Sequence, residues 1–174
     1  MAISTLNSHI TAAIELQQKQ TTAYFVIGKT SAWTNDSNPP EEVEDVSAIS
    51  EVIGYKKTSK FSLTRPLKPG ETPIYPTVTY AGQQWVLIPA DKAYQEKARW
   101  IYAEAEITPE DFPTGNAYRQ VGLHIGVVPK AGVTKQNLLP TDITSAGELR
   151  LYANQEPQTR EATTYVTEQF VLVV

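Results

Sequence analysis

The 174-residue chain contains no cysteine. That excludes disulfides, thiolate metal sites and a cysteine nucleophile together. Histidine is scarce as well. His9 and His124 stand in no H-x-x-x-H or His-Asp-His spacing, so they build no zinc site and read as structural or exposed residues. No run of 18 apolar residues occurs, so no transmembrane helix and no membrane insertion are expected. The opening MAISTLNSHITAAIELQQKQ lacks the basic stretch and apolar centre of a secretory leader. Concentrated positive charge is missing too, with 15 basic against 19 acidic side chains and a net charge of −4. Lys56, Lys57 and Lys60 with Arg65 come closest to a basic patch and read as a solvated edge, so no nucleic-acid partner is expected. There is no G-x-S-x-G elbow, no P-loop and no G-x-G-x-x-G.

What is present is a globular composition, 41% hydrophobic and 20% charged, with twelve prolines against nine glycines. That many prolines imply frequent turns and stopped strands. The expectation is a mainly β (α+β) fold: a single β-rich, antiparallel, sandwich-like domain over residues 1–174, with one N-terminal helix and long Pro-rich loops. Ile3, Leu6, Ile10, Ala13 and Ile14 recur at helical spacing and predict a helix over about 4–20, capped by Ser4 or Thr5. Tyr24 to Gly28 reads as a strand, followed by a loop over about 29–49 that Pro39 and Pro40 interrupt. Short strands are expected around Val52 to Tyr55 and near Phe61. RPLKPGETPIYPT carries four prolines in thirteen positions and reads as a stiff extended connection over 65–77. QQWVLIPA is apolar on both faces, and DKAYQEK forms a helical turn leading into a strand over 98–107. In that strand Ile101, Ala103, Ala105 and Ile107 face inward while Trp100, Tyr102, Glu104 and Glu106 face out. In VGLHIGVV, Val121, Leu123, Ile125 and Val127 oppose Gly122, His124 and Gly126, whose glycines make room for a large neighbour. GELRLYAN sets Leu149 and Leu151 against Arg150 and Tyr152. The final FVLVV is apolar on both faces, which calls for a central place in its own sheet or a neighbouring subunit.

Candidate chemistry is sparse. Glu104 and Glu106 beside Trp100 and Tyr102 would suit a carbohydrate-binding or glycan-active module, but carboxylates two apart on one strand lie on the same side of any substrate. Asn35, Asp36 and Asn38 are hard-cation ligand types without the calcium-loop spacing and its closing glutamate, so they read as turn formers. No catalytic, cofactor-binding or metal-ligating residue is assigned. What stands out is aromatic and proline density in loops, at Trp33, Tyr75, Pro76, Tyr80, Phe112 and Pro113. Such rigid aromatics suit permanent protein contacts or lids on the chain's own core. The candidate protein-interface residues are Trp33, Asn35, Asp36, Pro39, Pro40, Tyr75, Phe112, Phe170, Leu172 and Val174.

YFVIGKTSAWTNDSNPPEE, then ARWIYAEAEI, YRQVGLHIGVVPKAG and LLPTDITSAGELRLYANQEPQTRE, closed by an apolar strand, form an ordered series. The third is followed by a G-x-L-x-x-x-x-N-x-x-P-x-x-R pattern, which the fourth carries at Gly147, Leu149, Asn154, Pro157 and Arg160. In this order the segments resemble the baseplate wedge proteins of contractile-tailed bacteriophages of the T-even and jumbo kind. The resemblance covers roughly residues 1–45 and 83–174 and leaves 46–82 unmatched. It implies a non-enzymatic structural subunit of the virion's tail baseplate, made in the bacterial host cytoplasm. The implied partners are other wedge proteins and a second copy, as a homodimer within a six-fold assembly. A tail-fibre connector or neck protein of the virion is the neighbouring alternative.

Overall fold

The structure, a computed structural model, describes residues 2–113 and 117–174. In chain order the elements are α1 (Leu6–Gln17), β1 (Ala23–Gly28), β2 (Gly54–Lys57), β3 (Lys60–Pro66), β4 (Thr77–Tyr80) and β5 (Gln83–Leu87). They continue as α2 (Ala93–Glu96), β6 (Trp100–Ile107), β7 (Tyr118–Ile125), β8 (Val128–Pro129), β9 (Asn137–Leu138), β10 (Ile143–Ser145), β11 (Glu148–Gln158) and β12 (Val166–Val173). The fold is mainly β and antiparallel with an N-terminal helix, as the sequence predicts. The chain forms two compact units. One comprises the residues up to Thr21, Ser59–Glu104 and Gln169–Val174; the other comprises Thr22–Thr58 and Ala105–Glu168.

In the first unit, α1 starts where Thr5, in extended conformation, accepts the Ser8 N–H on its Oγ1 at 3.2 Å. Ile10, Ala13 and Leu16 are its buried stripe, packed towards β3 and α2. Burial of Ile10 and Leu16 contributes about 1.5–3 kcal/mol each, without which a helix this short would not persist. Ile3 and Leu6, expected on that stripe, are exposed instead, because they precede or begin the first turn. The sheet has the order β12-β6-β3-β5-β4. β4 and β5 form a hairpin that the sequence does not announce. Its two-residue turn, Ala81-Gly82, has φ of 48° and 75°, both positive as a primed turn requires. Within β6, Tyr102 is fully buried rather than outward, because this strand is covered on both faces at that level. β12 takes an edge position beside β6, so its burial is one-sided: Phe170 and Leu172 are buried and Val173 is exposed. His9 Nδ1 donates to the Val174 oxygen at 2.7 Å and fastens the end of that strand to α1.

The second unit is built on the sheet β11-β7-β1-β2-β9, with β10 and β8 paired separately. All six residues of β1 are buried, and the strand lies inside its sheet between β7 and β2; burial on both faces fits the unbroken apolar run AYFVIG. Tyr24, Val26, Ile49, Tyr55, Val127 and Leu138 form one core cluster of this unit. Gly122 makes the room expected of it. A Cβ there would lie 2.7 Å from both Ile49 Cδ1 and Leu149 Cδ1, so Ile49 occupies the space of the missing side chain. Gly126 serves differently, turning the chain beyond the end of β7 at φ 85°. A register shift between Leu149 and Leu151 brings Leu149 and Tyr152 onto the same core cluster. The simple alternation, which had set Leu149 with Leu151 against Tyr152, is broken by this bulge.

Candidate interaction surface

The segment after β1 begins at a close crossing. A Cβ on Gly28 would lie 2.3 Å from the Ser50 carbonyl oxygen, and Lys29 N donates to that same oxygen at 2.6 Å. Glu51 then clasps the mouth of the loop: its carboxylate accepts from Ser31 N at 2.7 Å, Ser31 Oγ at 2.8 Å and Thr30 Oγ1 at 3.0 Å. These bonds, led by the Ser31 amide, hold the Glu51 carboxyl at about 2.

Asp36 is the next fastening. Its two oxygens accept Arg119 Nε and Nη2 at 2.7 and 2.8 Å, and Oδ1 also accepts the Trp33 N–H at 2.8 Å. The Arg119 guanidinium holds the Asp36 carboxyl below the usual carboxylate range and donates through Nη1 to the Thr30 carbonyl at 2.7 Å. Asn35 Oδ1 accepts from Ser37 N at 3.1 Å, an Asx turn, so Asn35 and Asp36 shape the loop as turn formers. Among the described residues no group of three or more His, Cys, Asp or Glu is placed to hold a metal.

The loop does not project as an arm; it is fastened along β11. Trp33 Nε1 donates to the Gln155 carbonyl at 3.1 Å, and Lys29 Nζ lies 5.1 Å from the Trp33 ring centroid. Asn154 donates from Nδ2 to the Pro40 carbonyl and from its backbone N–H to Glu42 Oε1, at 2.9 and 2.8 Å. The Tyr152 hydroxyl accepts from Val43 N at 2.7 Å and donates to the Val43 carbonyl at 3.0 Å. Glu41, Glu44 and Asp45 remain exposed, and Val43 is 55% exposed. The arrangement is a rigid, acidic, solvent-facing strip with an aliphatic residue at its centre.

Of the candidate interface residues in this unit, Trp33, Asp36 and Pro39 are half-buried in the strip, and Asn35 and Pro40 are exposed. Phe112 is buried: its ring fills the space over Gly54, where a Cβ would come within 2.2 Å of Cε1. In the other unit, Tyr75 is half-buried beside exposed Ile74, and Val174 is half-buried. Phe170 and Leu172 lie within the chain's own packing. Arg119, Glu51, Tyr152 and Asn154, which fix the strip, were not singled out from sequence as loop anchors. Asn154 carried a signal through the G-x-L-x-x-x-x-N-x-x-P-x-x-R pattern. Arg160 of that pattern donates to the Pro113 and Phe112 carbonyls at 2.9 Å each.

The glycan-facing arrangement does not form. Tyr102 is buried and donates its hydroxyl to Glu104, whose carboxylate also pairs with Lys60 at 2.9 Å. The Glu104 carboxyl is thereby partnered within the chain rather than presented beside Glu106.

The family described as "Baseplate wedge 3 tail fiber network component" matches the chain over residues 1–174. The chain is also 42% identical over 174 residues to "Virion protein 3" of Enterococcus phage phiEF24C, a match covering 100% of this chain and 96% of that protein. The match runs through residues 46–82 as well, where the motifs alone had shown no likeness. This chain therefore belongs to the baseplate wedge 3 tail fiber network component family, structural proteins of the phage virion.

Proposed function

We propose that this protein works as a non-enzymatic linker of the baseplate wedge. In this reading it is made in the host cytoplasm, pairs as a homodimer and joins neighbouring wedge and fibre-network proteins in a six-fold assembly. One observation carries the reading: the strip from Lys29 to Val46 is largely exposed yet fastened along its length by Glu51, Arg119, Asn154 and Tyr152. A surface already ordered in the free chain loses little conformational entropy when a neighbour covers it. Trp33 is its aromatic anchor, oriented by the Gln155 carbonyl and half-open to solvent.

The test is co-purification of the chain with the other baseplate proteins, together with its mass in solution. Trp33→Ala is expected to leave the chain folded by circular dichroism and to weaken capture by about 2 kcal/mol or more. A purified chain that stays monomeric and captures no baseplate protein would overturn the proposal. Loss of folding in Trp33→Ala would make the indole a lid on its own unit rather than an anchor.

A further inference from the structure

The first unit carries a groove of opposite character to the acidic strip. Its volume is about 360 Å³, with Leu6, Pro66 and Trp100 among its lining and Lys68, Lys97 and Arg99 at its rim. Arg65 also borders it, but that side chain is buried and saturated. It binds Glu71 through Nη1 and Nη2 at 2.9 and 2.6 Å and Glu96 through Nε and Nη2 at 3.0 and 2.7 Å. The rim cations differ: among the described residues no carboxylate forms an ion pair with Lys68, Lys97 or Arg99. Arg99 instead stacks its guanidinium 4.5 Å from the Trp100 ring centroid, which holds its charge at the groove. Leu6 is 38% exposed, and exposed Ile3 and Tyr94 belong to the same unit. The groove thus joins an apolar floor to three cations that form no ion pair among the described residues, while Glu96, the carboxylate of its lining, is already bound to Arg65, in a chain whose net charge is −4.

The matching countercharge is in the same sequence. Pro39-Pro40-Glu41-Glu42-Val43-Glu44-Asp45-Val46 places four carboxylates around one exposed valine. Glu41, Glu44 and Asp45 enter no ion pair among the described residues. The two prolines, Asn154 and Tyr152 hold the segment in place before any partner arrives. We propose that the groove of one copy receives the 39–46 segment of a second copy. Val43 seats against Leu6 and Trp100, and Glu41, Glu44 and Asp45 face Lys68, Lys97 and Arg99. The proposal rests on the assembly role above and names one of its contacts. A contact this small is weak by itself and strengthens where many copies are held together.

Analytical ultracentrifugation over a concentration series tests it, with two charge-reversed chains: Lys97→Glu/Arg99→Glu in the groove and Glu41→Lys/Glu44→Lys in the segment. All the replaced side chains lie on or near the surface, and thermal melting checks that both variants fold. Wild type is expected to self-associate, more weakly at high salt. Each variant should lose about tenfold or more in self-affinity. Mixing the two should restore association, because the acidic groove of one then meets the basic segment of the other. A strictly monomeric wild type, unchanged affinity in either variant, or a mixture that fails to associate would overturn the proposal. If groove reversal abolishes capture of another baseplate protein but leaves self-association intact, the groove serves a different chain and the proposal falls, while the assembly role stands.

Discussion

His124 shows how one buried side chain makes the whole chain sensitive to acid. It packs edge-on to Tyr55 and its Nδ1 donates to the Ala146 carbonyl at 2.9 Å, while Nε2 is buried without a partner. Burial holds its imidazole below the ordinary 6.5, so as pH falls beneath 6.5 the unfolded chain takes up a proton that the folded chain refuses. Stability therefore declines through that window. Glu51 acts lower: its folded value of about 2 against 4.5 gives stability that is present above 4.5 and lost towards 2. Glu168, raised by burial beside Tyr118, acts in the opposite sense above 4.5. The comparison with His124→Asn isolates the histidine: the variant's melting temperature should fall less than wild type between pH 7 and pH 5.5. Arg119 gives a second residue-scale prediction. Arg119→Ala removes the partner of Asp36 and of the Thr30 carbonyl, so amide exchange at Trp33 and Ser37 should quicken while β1 and β7 stay protected. Arg119→Lys should restore little, because a lysine cannot span both carboxylate oxygens. The Thr5 cap was legible in sequence because its partner is three residues away, whereas Arg119 was not, because Asp36 is 83 residues distant.

At the scale of elements, the sequence revealed what depends on near neighbours and hid what depends on cover. Ile10 and Ala13 of the helix stripe, the strand Tyr24–Gly28 and the helical turn before β6 follow from local spacing, whereas Leu16 joins the buried stripe without having been expected there. The outward place assigned to Tyr102 failed because alternation assumes one wet face, and β6 is covered on both at that level. β11 defeated the same rule through its bulge between Leu149 and Leu151. The β4–β5 hairpin escaped notice because its turn reads Ala-Gly, where Asn-Gly is the usual sign of two positive φ values. That exception is measurable. Ala81→Asn replaces a side chain that resists φ 48° with one that tolerates it, and should stabilise the chain by about 0.5–1 kcal/mol, read as a higher melting temperature. A fall would show that the methyl group at Ala81 is making a contact the turn needs.

For the molecule as a whole, the sheet of the second unit joins strands far apart in sequence, since β1 must find β7 across the intervening chain. Closing such loops before any pairing is rewarded slows folding, so refolding monitored by tryptophan fluorescence should take about milliseconds to seconds rather than microseconds. A microsecond phase carrying the full amplitude would contradict that topology. The candidate strip was legible in part: Trp33 and the Pro39-Pro40 stop drew attention, but that the loop lies back on β11 depends on Asn154 and Tyr152, which no local pattern connects to it. The pair of hydrogen bonds between Tyr152 and Val43 has one more consequence. Beside it, Glu42 occupies the Asn154 amide and Trp33 the Gln155 carbonyl, so side chains have taken backbone positions that an incoming strand would need. The β11 margin of the sheet is thereby guarded against polymerisation by strand addition, which suits a structural protein of the virion.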